Sequence, residues 1–350
     1  MSLLIYGANG YTGRLVVAEA CTLGLAPILS GRNAAAVQEV ARAHGLEARP
    51  ADLHDAAAMD AALRGVRVVL HCAGPFQHTV AAMTAACLRN GAHYLDITGE
   101  IAVFERVARL DAEAKARGIT MIPGVGFDVV PTDCLAAHLK ARLPGATQLV
   151  LAFSGGTGPS QGTALTVVEG LGQGGAIRRG GRIVPVPVAW RTRVIDFGDR
   201  ARLCVTIPWG DISTAYHSTG IPDITVYMST TASAVRWLRL SRVLGPLLRT
   251  RWVKALAAGR VRRGPAGPSP EALARTRSRV WGEARDAVGQ VVRARLTAPS
   301  GYTLTAQSAV RAAMRLLAGG VPTGFLTPSR AFGADFVLGI PTAEREDLPV

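Results

Sequence analysis

The sequence predicts an α/β protein: a doubly wound parallel sheet joined to a second, mainly antiparallel domain. Three observations predict it. First, LLIYGANGYTGRLV places an apolar run, Leu3 to Tyr6, ahead of Gly7, Gly10 and Gly13, and helical apolar spacing follows them. Second, strand-like and helical stretches alternate six times up to Asp128, as they must when helices cover both faces of a parallel sheet. Third, beyond the predicted helix Thr132 to Leu143, strand-like runs follow one another across Gly/Pro turns without regular helices between them.

The opening turn has the makings of a phosphate-binding loop. A dinucleotide pyrophosphate needs backbone N–H groups that no Cβ shields, and the positive end of a helix dipole to lie against. Gly7 suits the tight turn, Gly10 the close approach of backbone to phosphate, and Gly13 the close packing of helix on sheet. Ala8, Asn9, Tyr11 and Thr12 complete the expected contact loop. Ala26 to Leu29 is then a short strand running into Ser30, Gly31, Arg32 and Asn33. At this position a carboxylate takes the ribose 2′-hydroxyl of NAD, whereas an arginine accommodates the 2′-phosphate of NADP. Arg32 stands here and no carboxylate follows until Glu39, so NADP(H) is the expected cofactor, with Ser30 and Arg32 beside its ribose.

Ala34 to His44 reads as a helix, and Glu47 to Leu53 as a third strand whose end, Asp52 and Leu53, meets the adenine edge. After the helix Ala56 to Leu63, the run Val66 to Phe76 is apolar enough for a strand buried on both faces. It ends in Ala73, Gly74 and Pro75, where the nicotinamide half would pass. Thr79 to Arg89 and Val103 to Arg117 are predicted helices, with strand and loop at His93 to Glu100 and Ile119 to Asp128. In the second half, Gln148 to Ser154, Ile183 to Phe197, Leu203 to Pro208, Ile224 to Ser229 and Gln290 to Ala298 are strand-like. Pro265 to Pro270 reads as a turn or linker, and Thr305 to Ala318 is a strong helix.

Length and composition narrow the function classes. A chain of 350 residues is comfortable for two domains, and 49% apolar residues exclude a disordered protein. No apolar run reaches the roughly 18 residues of a membrane span. A glycine loop starting at Gly7 leaves no space for a secretory leader, so a cytoplasmic protein is expected. The five cysteines, Cys21, Cys72, Cys87, Cys134 and Cys204, form no CxxC pair, so neither a disulfide framework nor a metal site is expected. The net charge of +14 is almost all arginine, which suits phosphate or carboxylate recognition but also follows from a coding bias towards Ala, Gly and Arg.

Several stretches together resemble a known family. GANGYTGRL (Gly7 to Leu15), HCAGPF (His71 to Phe76), YLDITGE (Tyr94 to Glu100), PGVGFDVVPTD (Pro123 to Asp133), GYTLTAQSAV (Gly301 to Val310) and FLTPSRAFG near the C-terminus resemble the saccharopine dehydrogenase-like oxidoreductases, in particular the trans-acting enoyl reductase branch. The resemblance covers about the first 140 residues and the last fifty, and implies an NADP-binding Rossmann domain, an inserted substrate and dimerisation domain, and a C-terminal helix returning to the first domain. Expected bounds are 1–144, 145–310 and 311–350, with a homodimer as the expected assembly. Family members reduce imines, enoyl thioesters, or no substrate yet identified, so the resemblance implies an oxidoreductase fold without settling the reaction.

Hydride transfer needs a proton source for the second atom of the reduced bond. Loops at the strand ends offer His71, Gln77, His78, Tyr94, Asp96, Glu100 and Asp128. His78 is the preferred donor, because imidazole titrates nearest neutral pH. Asp96 and Glu100, in the YLDITGE motif, are the expected catalytic carboxylates, although a carboxylate in such a loop serves equally to cap a helix or hold an arginine. No tyrosine is followed four residues on by a lysine, which excludes a short-chain dehydrogenase site. Cys72 and Cys134 have no basic partner evident in the sequence that would make either a thiolate nucleophile.

Arg236 to Arg263 contains nine basic residues and no acid, with Trp237, Leu240, Leu244, Leu248, Trp252 and Leu256 at helical spacing, broken by Gly245 and Pro246. This predicts two short basic amphipathic helices. They could be solvated faces of a substrate domain, a docking surface for an acyl-carrier or CoA-linked substrate, or a peripheral membrane contact. No nucleic-acid partner is expected, since aromatics are few and no motif is present. The functional expectation is an NADPH-dependent reductase of an enoyl or related unsaturated acyl thioester. Its alternatives are an opine-type imine-reducing dehydrogenase and a non-catalytic NADP-binding scaffold or redox sensor at a membrane surface.

Overall fold

The structure, a computed structural model, describes residues 2–156 and 158–349, leaving aside the side chains of residues 246 and 247. In chain order its first elements are β1 (Ser2–Tyr6), α1 (Tyr11–Thr22), β2 (Ile28–Ser30), α2 (Ala34–His44), α3 (Ala56–Ala62), β3 (Val66–His71), α4 (Phe76–Asn90), β4 (His93–Asp96), α5 (Ile101–Ala108), α6 (Asp111–Ala116) and β5 (Thr120–Ile122). Then come α7 (Val130–Arg142), β6 (Ala146–Ser154), α8 (Gln161–Glu169), β7 (Gly175–Arg179), β8 (Arg182–Val186), β9 (Thr192–Asp196), β10 (Ala201–Thr206), α9 (Asp211–Thr219) and β11 (Asp223–Ser229). The remainder is α10 (Ala232–Leu240), α11 (Gly245–Leu248), α12 (Arg251–Arg262), α13 (Pro270–Arg275), β12 (Arg277–Asp286), β13 (Val291–Pro299), α14 (Gly301–Ala318), β14 (Gly324–Phe325), α15 (Pro328–Phe332) and β15 (Glu344–Leu348).

Two compact units result, one of residues up to 130 with 302–332, the other of 131–301 with 333 onwards. The first holds a six-stranded sheet in the order β14-β5-β4-β3-β1-β2, every neighbour parallel. Its order reverses direction between β1 and β3, and in such sheets ligands bind at that switch point, outside the carboxyl ends of the strands. The central strands are buried on both faces, as the apolar runs LLIY and VRVVLH require. Local chemistry fixes the helix ends. Asn33 and Asp55 accept the N–H groups of Ala36 and Ala58 at the starts of α2 and α3, and Gly45 and Gly91 end α2 and α4 in the left-handed conformation.

Two expectations about this unit need correction. The predicted third strand, Glu47 to Leu53, reduces to a single bridge between Leu29 and Ala48. Leu29 N–H donates to Glu47 carbonyl, and Arg49 and Ala51 N–H donate to Leu29 and Gly31 carbonyls, at 2.9, 2.9 and 3.2 Å, so the segment runs beside β2 without becoming a regular strand. The sixth strand comes instead from the far end of the chain, where β14 pairs with β5 and Phe325 N–H donates to Asp111 Oδ1 at 2.9 Å.

The expected bounds at 144 and 310 also shift. Helix α7 belongs to the second unit, where Leu135 and Leu139 pack so closely under Gly282 of β12 that a Cβ there would lie 2.6 Å from Leu139. Helix α14 does return to the first unit, but residues 333 onwards do not. There β15 pairs antiparallel with β13, and Asp347 accepts from His138 and Arg142 of α7 at 2.7 and 2.8 Å. The second sheet runs β15-β13-β12-β6-β11-β10-β9, with β7 and β8 attached through β11. It is mixed: β6 and β11 are parallel and the other pairs antiparallel, and α8 and α9 stand among strands where no helix was expected. No described helix is long and apolar enough to cross a membrane.

Candidate cofactor and active site

The carboxyl end of the first sheet gathers almost every residue expected to hold the cofactor. Gly7 to Gly10 link β1 to α1, whose first turn holds Tyr11 to Gly13; Ser30 ends β2 and Arg32 follows it; Ala73, Gly74 and Pro75 follow β3. The loops are tied to one another through backbone. Ser30 carbonyl accepts the N–H groups of Gly7 and Ala8 at 2.8 and 3.2 Å, and Tyr6 carbonyl accepts from Cys72 N–H at 2.8 Å. Gly7 has φ +82°, and a Cβ on it would sit 2.9 Å from the Ala73 nitrogen, so only glycine lets these loops meet. A Cβ on Gly13 would lie 2.1 Å from the Gly7 carbonyl oxygen. At Gly10 the only neighbour within reach is that same oxygen, at 3.3 Å, so the backbone here is bare towards solvent.

Gly10 caps α1 without a side-chain hydrogen bond, and the first turn of the helix carries no carboxylate. Its leading N–H groups and dipole are therefore offered to an anion from outside the helix. Arg32 is exposed at the end of β2, and Asp52 turns its Oδ1 back to the N–H of His54 at 2.9 Å. The residues present thus fit an NADP molecule: a glycine cradle for the pyrophosphate, and a guanidinium where the 2′-phosphate lies. Three of the expected contacts are corrected in kind. Ala8, Ser30 and Leu53 are buried, Ser30 Oγ donates to Arg49 carbonyl at 2.7 Å, and Leu53 belongs to the hydrophobic core, so these positions offer the cofactor backbone and no side chain.

The expected catalytic carboxylates have other work. Glu100 reaches from the start of α5 to the start of α4, where its two oxygens accept the N–H groups of Phe76 and Gln77 at 2.8 Å each. Pro75, at the N-cap, has no side chain to do this, and the carboxylate also suits the helix dipole. Asp96 is fully buried. It accepts from Tyr94 Oη at 2.5 Å, Thr98 N–H at 2.9 Å and Gly124 N–H at 2.8 Å, which fixes the loops after β4 and β5. Burial pushes its carboxyl up to about 6, against these hydrogen bonds, which pull it down. The alternative raised for such loop carboxylates, a helix cap, describes Glu100, and the catalytic expectation for both gives way to positioning.

His78 differs. It lies exposed on the first turn of α4, directly after the Gly74 and Pro75 loop, with Gln77 Nε2 3.4 Å from its Nε2. His71 is buried among the rings of Tyr6, Phe76 and Tyr94, its Nε2 2.8 Å from Thr79 Oγ1, and burial lowers it to about 3. It is therefore a neutral packing residue. Burial, and then the charge of Asp96, raise the Cys72 thiol to about 12, so it is no thiolate at neutral pH. Sequence reasoning missed what α14 contributes. Its Tyr302 ring meets Tyr11 edge-on at 5.2 Å, Thr305 Oγ1 accepts from Phe127 N–H at 3.0 Å, and Ser308 Oγ donates to Val125 carbonyl at 2.6 Å. The motif GYTLTAQSAV carried that signal, since its polar residues recur on one helical face.

With this geometry in place, comparison with known proteins decides the type of the domain. Residues 3–122 match the family described as saccharopine dehydrogenase NADP-binding domain. Residues 3–122 are thus similar to a saccharopine dehydrogenase NADP-binding domain. Its relatives include the mouse (Mus musculus) saccharopine dehydrogenase-like oxidoreductase, 27% identical over 203 residues, which are 51% of this chain and 47% of that one. The trans-acting enoyl reductase of Mycobacterium leprae is 31% identical over 149 residues, 40% of this chain and 36% of that protein. The chain therefore spans about half the length, or less, of these relatives. In fold, the saccharopine dehydrogenase (L-Glu forming) of Saccharomyces cerevisiae superposes with a TM-score of 0.69 at 13% identity, covering 99% of this chain and 100% of that one. Arg32 stands just past the end of β2, where an arginine accommodates a 2′-phosphate. Charge-assisted hydrogen bonds to a phosphate are worth about 1.5–3 kcal/mol each. Arg32→Ala is accordingly expected to weaken NADPH binding roughly 10- to 150-fold and to leave NADH nearly unchanged. Fluorescence titration with both cofactors checks this, and equal weakening of the two would show that the 2′-phosphate is read elsewhere.

Proposed function

We propose that the protein is an NADPH-dependent reductase of an enoyl or related unsaturated acyl thioester. The observation that carries the reductase reading is the glycine cradle at the switch point with Arg32 beside it. The acyl substrate rests on the 31% identity to a protein named trans-acting enoyl reductase. NADPH, when bound, supplies a hydride from its nicotinamide. The chain's own residues bind and orient it: Gly7, Gly10 and the first turn of α1 hold the pyrophosphate, Arg32 the 2′-phosphate, and the Gly74 and Pro75 loop, anchored by Glu100, borders the nicotinamide half. His78, exposed next to that loop, delivers the proton to the second carbon of the reduced bond.

The test is NADPH oxidation followed by absorbance with enoyl-CoA and enoyl-carrier substrates, beside a keto acid offered with and without an amine. Turnover of the enoyl thioesters is the expected result. Turnover that requires the amine would assign the chain to imine reduction, and a protein that binds NADPH but oxidises it with none of them would overturn the reductase reading. His78→Gln is expected to lower kcat about 10²- to 10⁴-fold while leaving NADPH affinity unchanged. An unchanged kcat would remove His78 from the reaction.

A further inference from the structure

The stretch from α10 to α12 presents an apolar surface that the second unit does not cover. Helix α10 is fixed on its inner side: Val235 is buried with Ala189 and Val205, and Arg242 donates to the carbonyls of Val188 and Ala189 at 2.8 and 2.9 Å. Helix α12 is held to α8 and its neighbourhood by Lys254, which donates to Glu169 carbonyl at 2.6 Å, and by Arg249, which donates to Gly172 carbonyl at 2.7 Å just before it. What remains outside is unusual. Trp237, Leu240, Val243, Leu244, Trp252 and Leu256 are between 48% and 79% exposed, although each would gain by leaving water.

The cations sort into two groups. Arg242, Arg249 and Lys254 are spent on carbonyls inside the unit, whereas Arg236, Arg239, Arg251, Arg260, Arg262 and Arg263 are exposed. Along α12, Trp252, Leu256, Arg260 and Arg263 follow at spacings of four, four and three, so they share one helical face. On α10, Trp237 and Leu240 stand three apart on one face, flanked by Arg236 and Arg239, and the exposed Leu244 follows in the turn after the helix. Exposed tryptophan and leucine interspersed with exposed arginines, with no carboxylate between 236 and 263, is the composition of a surface that lies in a lipid headgroup layer.

We propose that α10–α12 dock the protein on an anionic lipid surface, with Trp237 and Trp252 entering the interface and the six exposed arginines meeting the headgroups. An acidic carrier protein would account for the arginines, but it would leave two tryptophans and four aliphatic side chains without a purpose. The docking is independent of the reaction proposed above, and its test does not use turnover.

The experiment is flotation of the whole protein with vesicles of phosphatidylcholine alone and of phosphatidylcholine with phosphatidylserine, with tryptophan emission recorded in parallel. Binding to the anionic vesicles, weakened by added salt and accompanied by a blue shift, is expected. Each cation near such a surface is worth about fivefold in affinity, so the triple variant Arg260→Ala, Arg262→Ala, Arg263→Ala is expected to bind about a hundredfold more weakly. The pair Trp237→Ser, Trp252→Ser is expected to lose both binding and blue shift. Circular dichroism and NADPH affinity of each variant, expected to match the parent, show that folding is intact. No binding to anionic vesicles, equal binding by parent and variants, or capture of an acyl-carrier protein by the same arginines in a protein that ignores vesicles would each overturn the proposal.

Discussion

Gly13→Ala is expected to abolish NADPH binding and to destabilise the protein, whereas Gly10→Ala is expected to abolish binding alone. At Gly13 the new methyl group would lie 2.1 Å from the Gly7 carbonyl oxygen and 3.0 Å from Ala8 Cα. Both are backbone atoms of a loop already tied down, since Gly7 carbonyl accepts from Gly10 N–H at 3.0 Å and Gly7 N–H donates to Ser30 carbonyl at 2.8 Å. Helix α1 can accept the methyl only by moving off the sheet. Overpacking in a well-filled core costs about 1–3 kcal/mol, and an obstacle made of backbone belongs at or above the upper end. The same movement displaces the helix N-terminus on which the pyrophosphate lies, so a loss of at least a hundredfold in NADPH affinity is expected. At Gly10 the methyl meets only one oxygen, at 3.3 Å, and the folded protein has space for it; the phosphate does not. Urea denaturation and NADPH titration of the two variants separate these roles. A Gly13→Ala protein as stable as the parent would show that α1 does not need the close contact.

How far the sequence alone reaches depends on whether a signal is local. The glycine loop, Arg32 and the run Val66 to His71 declare themselves, because a turn, a phosphate contact and a doubly buried strand each leave a mark in a few consecutive residues. Glu47 to Leu53 stands where the alternation of strands and helices calls for a strand, but it holds no β-branched or aromatic residue and keeps only a single bridge to β2. Strand β14 is two residues long and pairs with β5 across some two hundred residues of chain, a long-range match no local pattern can announce. The same holds for Glu100: that a carboxylate in YLDITGE caps α4 follows only from the approach of two loops. The resemblance returns the whole of 311–350 to the first domain, and β15, charged at Glu344, Arg345, Glu346 and Asp347, has no apolar alternation that would announce a strand of the other unit. Its pairing with β13 rests on backbone bonds and on ion pairs such as Arg295 with Glu346, at 3.1 Å.

Asp96→Ala is expected to be the most destabilising substitution at the site. The carboxylate is fully buried, and its removal leaves the N–H groups of Thr98 and Gly124 and the hydroxyl of Tyr94 without their acceptor. A buried donor left unpaired costs about 1–3 kcal/mol, so three together cost about 3–6 kcal/mol after allowing for shared relaxation, a large part of a domain's stability. Asp96→Asn keeps an oxygen for the two N–H groups and is expected to retain most of that stability. The two side chains differ in their response to pH. Burial raises the folded carboxyl to about 6, above the roughly 3.9 of an unfolded chain, so the native state holds its proton more tightly. A group raised in this way contributes stability that is fully present below the unfolded value and is lost as the pH rises through the folded one. From pH 4, where the unfolded carboxyl is already about half ionised, to pH 7 that loss amounts to about 2 kcal/mol, and asparagine does not suffer it. Asp128, which burial raises to about 7, adds its own slope to both proteins and cancels in the comparison. Measured by urea denaturation, the stability of Asp96→Asn relative to the parent should therefore improve by about 2 kcal/mol between pH 4 and 7. A constant difference would mean that Asp96 stays ionised throughout, with its three donors outweighing the cost of burial.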